Sequence, residues 1–220
     1  FERMFLLHGE SKYIDCMERT LYNGVISGMS MDGGRFFYPN PLSSDGKYKF
    51  NADGNTTRQP WFGCACCPSN LCRFIFCSRL SLWREGQQYL CESLCRQYIY
   101  HQGECKDVVL EETTEYPWNG DIKIAVKKSG VKNANLLVRI PGWVRNQVVP
   151  SDLYKYSDAE KPAYTVTVNG KAVEADLDAN KGYLPVKNIK KGDVIRIHFD
   201  MPIRTVVANG KVADDKARLP

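Results

Sequence analysis

No stretch of this sequence approaches the run of about 20 apolar residues that crosses a bilayer, which excludes an α-helical membrane span. Runs of lysine and arginine interleaved with aromatics are missing too. The 30 basic residues exceed the 25 acidic ones, yet they are scattered, so the net charge of +5 reads as solvated surface and not as a nucleic-acid footprint. Histidine is scarce: His8, His101 and His198 lie far apart, without ligand spacing, and all three read as structural. Phe1 is neither an initiator methionine nor part of a signal-peptide pattern, and "VVANGKVADDKARLP" ends in polar sequence with no closing element. The expectation is a piece of a longer chain, cut at both ends. A complete disulfide framework is also absent, because nine cysteines is an odd number and their spacing is uneven.

What is present is enough apolar sequence for a real core: 220 residues at 43% hydrophobic fit one large domain or two small ones. The densest feature is "WFGCACCPSN" at residues 61–70, which packs three cysteines into four positions. Adjacent Cys66 and Cys67 do not readily bridge each other, since neighbouring residues give a strained ring. Metal or thiolate chemistry is therefore the better reading. Pro68 fits a first helical position, and Leu71, Phe74, Ile75 and Leu80 continue at helical spacing. That puts Cys66 and Cys67 at a helix N-terminus, where free amide N–H groups and the positive end of the dipole favour a thiolate.

Upstream, Ile14, Met17, Leu21 and Val25 recur on one face of a helix over 13–27, and "RMFLLH" at 3–8 reads as the tail of a helix before it. Residues 30–63 form a long loop rich in Gly, Asp, Asn and Pro that leads into the cysteines. Asp32 and Asp45 within it, each followed by Gly, read as turn formers. From about residue 107 the period changes to two, in "DIKIAVKK" (121–128), "NLLVRIPGW" (135–143), "YTVTVNGKAVE" (164–174) and "DVIRIHFDMPI" (193–203). Asn169-Gly170 is a type I′ hairpin signal, and Asn119-Gly120 and Lys191-Gly192 punctuate neighbouring runs. The chain reads as α then β, with several short strands forming an antiparallel β-sandwich.

"YIDCMERTLYNGVISGMSMDGGRFFYPNPL" followed by "WFGCACCPSNLCR" resembles family 127 of the glycoside hydrolases, the β-L-arabinofuranosidases, and "YPWNGDIKIAV" with "LLVRIPGW" resembles the sandwich after its barrel. The resemblance covers residues 1–73 and about 107–207. It implies the C-terminal part of an (α/α)6 barrel over residues 1–80, an unassigned junction at 81–106, and a β-sandwich over 107–220. It further implies a zinc-dependent, retaining glycosidase. Cys66 would be the nucleophile and Cys66 and Cys67 zinc ligands, with a Glu-x-Cys motif and a general acid/base glutamate lying upstream of this chain. Glu18 and Tyr38 fall where the family has groups that contact the sugar. The implied substrate is a glycan or small arabinoside ending in β-L-arabinofuranose, and the isolated chain is expected to be inactive and to aggregate.

Each of these residues also has a plainer reading. Cys66 and Cys67 could form a structural zinc site in a non-catalytic carbohydrate-binding sandwich, and the same scaffold could serve another sugar. Glu18 could be a surface or capping charge and Tyr38 a packed loop aromatic. Cys64 and Cys72 read as small buried apolar residues with no role. Residues 74–106 depart from the family, offering Cys, Arg, Gln and Ser without period-two order, as a compensated pair of frameshifts or local divergence would. The expectation there is poor packing.

Overall fold

The computed structural model describes residues 1–39, 41, 45–64, 66–77, 82–85, 88–91, 98–100, 108–130 and 132–215. Helix α1 (Glu2–His8) stops at Gly9, whose left-handed φ of 61° lets its N–H close on the Phe5 carbonyl at 2.7 Å. Helix α2 (Ser11–Arg19) buries Ile14 and Met17, and the stripe continues to the buried Val25. The single helix expected over 13–27 widens part-way, into a π turn at Thr20–Val25 and a 3-10 turn at Ile26–Gly28. The widening begins where the Thr20 hydroxyl donates to the Cys16 carbonyl at 2.8 Å, a back-bond that competes with the helical ladder. Helix α3 (Cys66–Cys77) opens two residues earlier than Pro68 suggests. Pro68 then sits within the first turn, where a missing N–H removes no helical bond.

The chain divides into two compact units, one made of Phe1–Asp15 and Leu80–Pro220, the other of Cys16–Arg79, so the division falls inside α2. Among the described residues the first unit carries twelve strands: β1 (Leu82–Glu85), β2 (Gln88–Cys91), β3 (Tyr98–Tyr100), β4 (Val108–Thr114), β5 (Asp121–Ser129), β6 (Asn135–Arg139), β7 (Tyr154–Tyr156), β8 (Tyr164–Val168), β9 (Lys171–Ala172), β10 (Tyr183–Val186), β11 (Val194–Phe199) and β12 (Val206–Ala208). They form a six-stranded sheet in the order β3-β4-β5-β11-β8-β9, a four-stranded sheet β1-β2-β6-β10 and the pair β12-β7. Among the described residues every ladder is antiparallel except β2 with β6, which run parallel, a pairing that the period-two reading does not contain. Three strands lie in the segment read as lacking strand order; its side-chain packing falls outside the described residues.

Alternation decides which face of each strand is covered. Ile122, Ile124 and Val126 of β5, Ile195, Ile197 and Phe199 of β11, and Leu136 and Val138 of β6 all point into one apolar core with Leu184 and Val186 of β10. The two larger sheets thus share that core, each fully buried aliphatic side chain contributing about 1.5–3 kcal/mol. Asn169 (φ 50°) and Gly170 (φ 82°) close the β8–β9 hairpin in the left-handed pair that a type I′ turn demands.

A buried ion network ties the helical end of this unit to its strands. The Arg139 side chain, 2% exposed, donates to Asp15 Oδ1 at 2.6 Å, and Arg145 Nη2 donates to Asp15 Oδ2 at 3.2 Å and to Ser11 Oγ at 3.0 Å. Arg145 Nε also caps the Ile140 carbonyl at 3.1 Å. Gly182 (φ 89°) lies so close that a Cβ there would strike the Ser11 hydroxyl.

Candidate active site

The thiol cluster is assembled within the second unit, on a loop that its own polar side chains hold in place. Phe36 and Gln59 exchange both backbone hydrogen bonds, at 3.0 and 2.9 Å, which draws the two ends of the loop together. Arg58 reinforces the closure. Its guanidinium lies 4.4 Å from the Phe37 ring centre and donates to the carbonyls of Ser27 (2.8 Å) and Gly28 (3.3 Å). Between these ends, buried Asn51 accepts from the Tyr38 amide at 3.1 Å and donates to the Thr57 carbonyl at 2.8 Å. Asp32 accepts from the Gly34 amide, and Asp45 from the amides of Lys47 and Tyr48, the turn roles the sequence suggests for both.

Tyr38 is fixed at its backbone by Asn51 and along its ring by Phe62, edge to face with centroids 5.5 Å apart. Phe62 is buried and meets Phe36 in the same manner, at 5.3 Å. So held, the Tyr38 hydroxyl reaches the Cys66 sulfur at 3.3 Å. Among the described residues the other partners of that sulfur are Cys64 at 3.1 Å and Cys67 at 3.9 Å. Cys66 is the first residue of α3, and its carbonyl accepts from Asn70 and Ser69.

Hydrogen bonding from Tyr38, then from Cys64 and Cys67, lowers the Cys66 thiol from an ordinary value of 9.0 to about 7. The hydrogen bond to Cys66 raises the Tyr38 phenol, so the phenol keeps its proton and donates it to the sulfur. Burial, followed by the neighbouring Cys66, raises the Cys67 thiol. The cluster therefore contains one thiol that ionises near neutrality and one that resists. An exposed thiolate aided by a phenol donor at a helix N-terminus has the chemistry that nucleophilic attack or metal binding requires.

Of the residues singled out in the sequence, Tyr38, Cys66 and Cys67 are brought together. Glu18 is half-buried on α2 and is not among the hydrogen-bond partners of the Cys66 thiol within the described residues. Cys64, read as an apolar filler, is instead exposed and in contact with Cys66. Its signal was the Cys-x-Cys-Cys spacing itself. Asn51 left no signal, because its role depends on a contact across 13 residues of irregular chain. Among the described residues no group of three His, Cys, Asp or Glu side chains is arranged to enclose an ion.

Residues 1–78 match a family model described as the β-L-arabinofuranosidase, GH127 catalytic domain, and residues 94–201 match the GH127 middle domain. A relative from Bifidobacterium longum subsp. longum, named a non-reducing end β-L-arabinofuranosidase, is 30% identical over 99% of this chain and 32% of its own length. A solved structure described as a GH127 β-arabinofuranosidase is 48% identical, with a TM-score of 0.82 over 97% of this chain and 32% of its own. A GH127 β-L-arabinofuranosidase from Geobacillus stearothermophilus T6 is 32% identical, with a TM-score of 0.77 over the same shares. The chain spans about a third of the length of each of these relatives.

Proposed function

The chain belongs to family 127 of the glycoside hydrolases, and we propose on that footing that it is the part of a retaining β-L-arabinofuranosidase that carries the nucleophile, Cys66. The observation that carries the reading is the Cys66 thiol itself, held at a helix N-terminus with Tyr38 donating to it at 3.3 Å. In this reading residues 1–80 are the end of an (α/α)6 barrel, 107–220 a β-sandwich, and 81–106 the junction between them.

Cys66 Sγ attacks the anomeric carbon of a terminal arabinofuranose as the glycosidic bond breaks, and water then displaces the sulfur, so the configuration is retained. The proton for the leaving oxygen comes from a carboxylic acid outside the residues identified here. Tyr38 stabilises the thiolate before attack and when it is released again. Glu18, as a carboxylate on α2, is assigned to hydroxyls of the sugar.

The sulfurs also suit zinc. Two thiolates about 2.3 Å from a tetrahedral ion lie about 3.8 Å apart, and those of Cys66 and Cys67 are 3.9 Å apart. Cys66 and Cys67 would hold the ion, and zinc when bound would keep the thiolate deprotonated and oriented. Further ligands must come from groups other than these two.

The test is release of L-arabinose from a terminal β-L-arabinofuranoside by the protein that carries this chain, with the anomer of the first product followed by NMR. Retention is expected, with release lost in Cys66→Ala and kept in Cys72→Ala. Undiminished release by Cys66→Ala, or an inverted product, would overturn the reading.

A further inference from the structure

The contact between Cys64 and Cys66 differs in kind from that between Cys66 and Cys67. At 3.1 Å the two sulfurs lie inside the roughly 3.5–4.0 Å at which non-bonded heavy atoms rest. They are also closer than the about 3.8 Å that two thiolates sharing a tetrahedral zinc would keep. The remaining distance is about 1 Å more than a disulfide bond of about 2.05 Å, which side-chain rotation can close. One intervening residue gives a ring less strained than that of the adjacent pair. Both side chains are exposed, so a small oxidant reaches them. The Tyr38 hydroxyl, on the same sulfur, holds Cys66 beside Cys64.

We propose that Cys64 and Cys66 form a redox modification site, in which a peroxide oxidises the pair to a disulfide and a dithiol reverses it. The Cys66 thiolate attacks one peroxide oxygen; the O–O bond breaks, water leaves after protonation, and the sulfur becomes a sulfenic acid. The Cys64 sulfur then attacks the Cys66 sulfur; the S–S bond forms, the S–O bond breaks, and the hydroxyl leaves as a second water with the Cys64 proton. In sum two thiols lose two electrons and two protons, and one peroxide becomes two waters. The product takes the Cys66 sulfur out of nucleophilic or metal chemistry until it is reduced. The inference stands apart from the glycosidase reading, since it concerns two thiols and not a sugar.

The experiment treats the metal-free full chain with hydrogen peroxide, alkylates the remaining thiols, and maps the tryptic peptide 59–73 by mass spectrometry. The expected peptide has lost two hydrogens, carries alkyl groups on Cys67 and Cys72 only, and regains all its thiols after dithiothreitol. Fragment ions should place the bridge between Cys64 and Cys66 in the unaltered chain, so the outcome does not depend on any variant folding. Cys64→Ser should abolish the loss, and Cys67→Ser should keep it. A bridge mapped to Cys66 and Cys67, a loss that persists in Cys64→Ser, or only oxygen additions on Cys66 would overturn the proposal.

Discussion

The thiol of Cys66 owes its ready ionisation to one phenol before anything else, and that dependence can be measured. Alkylation of Cys66 in the metal-free chain, followed against pH by peptide mass, should show a midpoint near 7, and Tyr38→Phe should move it up towards 9.0. An unmoved midpoint would show that Tyr38 does not stabilise the thiolate. A second residue behaves in the opposite sense. Glu112 on β4 is 3% exposed, and among the described residues neither carboxyl oxygen has a hydrogen-bond partner. Burial pushes it up to about 8 from 4.5. A raised carboxyl favours the protonated form in the folded state, so stability is whole below the unfolded value and declines as pH rises from about 4.5 to about 8. Since a pKa unit is worth about 1.4 kcal/mol, Glu112→Leu should gain a few kcal/mol at pH 8 and little at pH 4. Urea unfolding at the two pH values checks this; an equal effect at both would refute the burial argument.

At the scale of elements, the Asp15 network joins α2 to β6 and to the turn that follows, and Arg139 within it is almost wholly buried. Asp15→Ala strands a buried guanidinium and should cost about 3–5 kcal/mol, while Asp15→Leu with Arg139→Met should recover most of that loss. Chemical denaturation of the single and double variants separates the two cases. Gly182→Ala should also destabilise, through both its positive φ and the clash with Ser11. The strands here were legible because period two and Asn-Gly turns are local signals, and β5, β8 and β11 fall where the alternation puts them. The parallel β2–β6 pairing was not, because alternation says which face is buried and nothing about which strand lies alongside. The α2 stripe was legible too, whereas the π turn after it starts at a threonine back-bond that periodicity does not reveal.

For the whole molecule, family membership rests on both halves of the chain, and the proposed chemistry falls on Cys66 and Cys67. The geometry adds what spacing could not hold: which sulfur touches the phenol and which touches its neighbour. The described surface also leaves large apolar side chains in solvent, among them Leu7, Met31, Trp118 and Ile203, the first at 74% and the second and last fully exposed. The isolated chain is therefore expected to self-associate, and light scattering should fall on Leu7→Lys with Ile203→Lys. A monodisperse parent chain at high concentration would remove the argument.

Asn51 accepts from residue 38 and donates to residue 57, so both flanks of the loop terminate on one amide. What lies between Tyr38 and Asn51 is then free to change in length and wording without disturbing the phenol, since doubling a closed loop costs only about 0.6 kcal/mol.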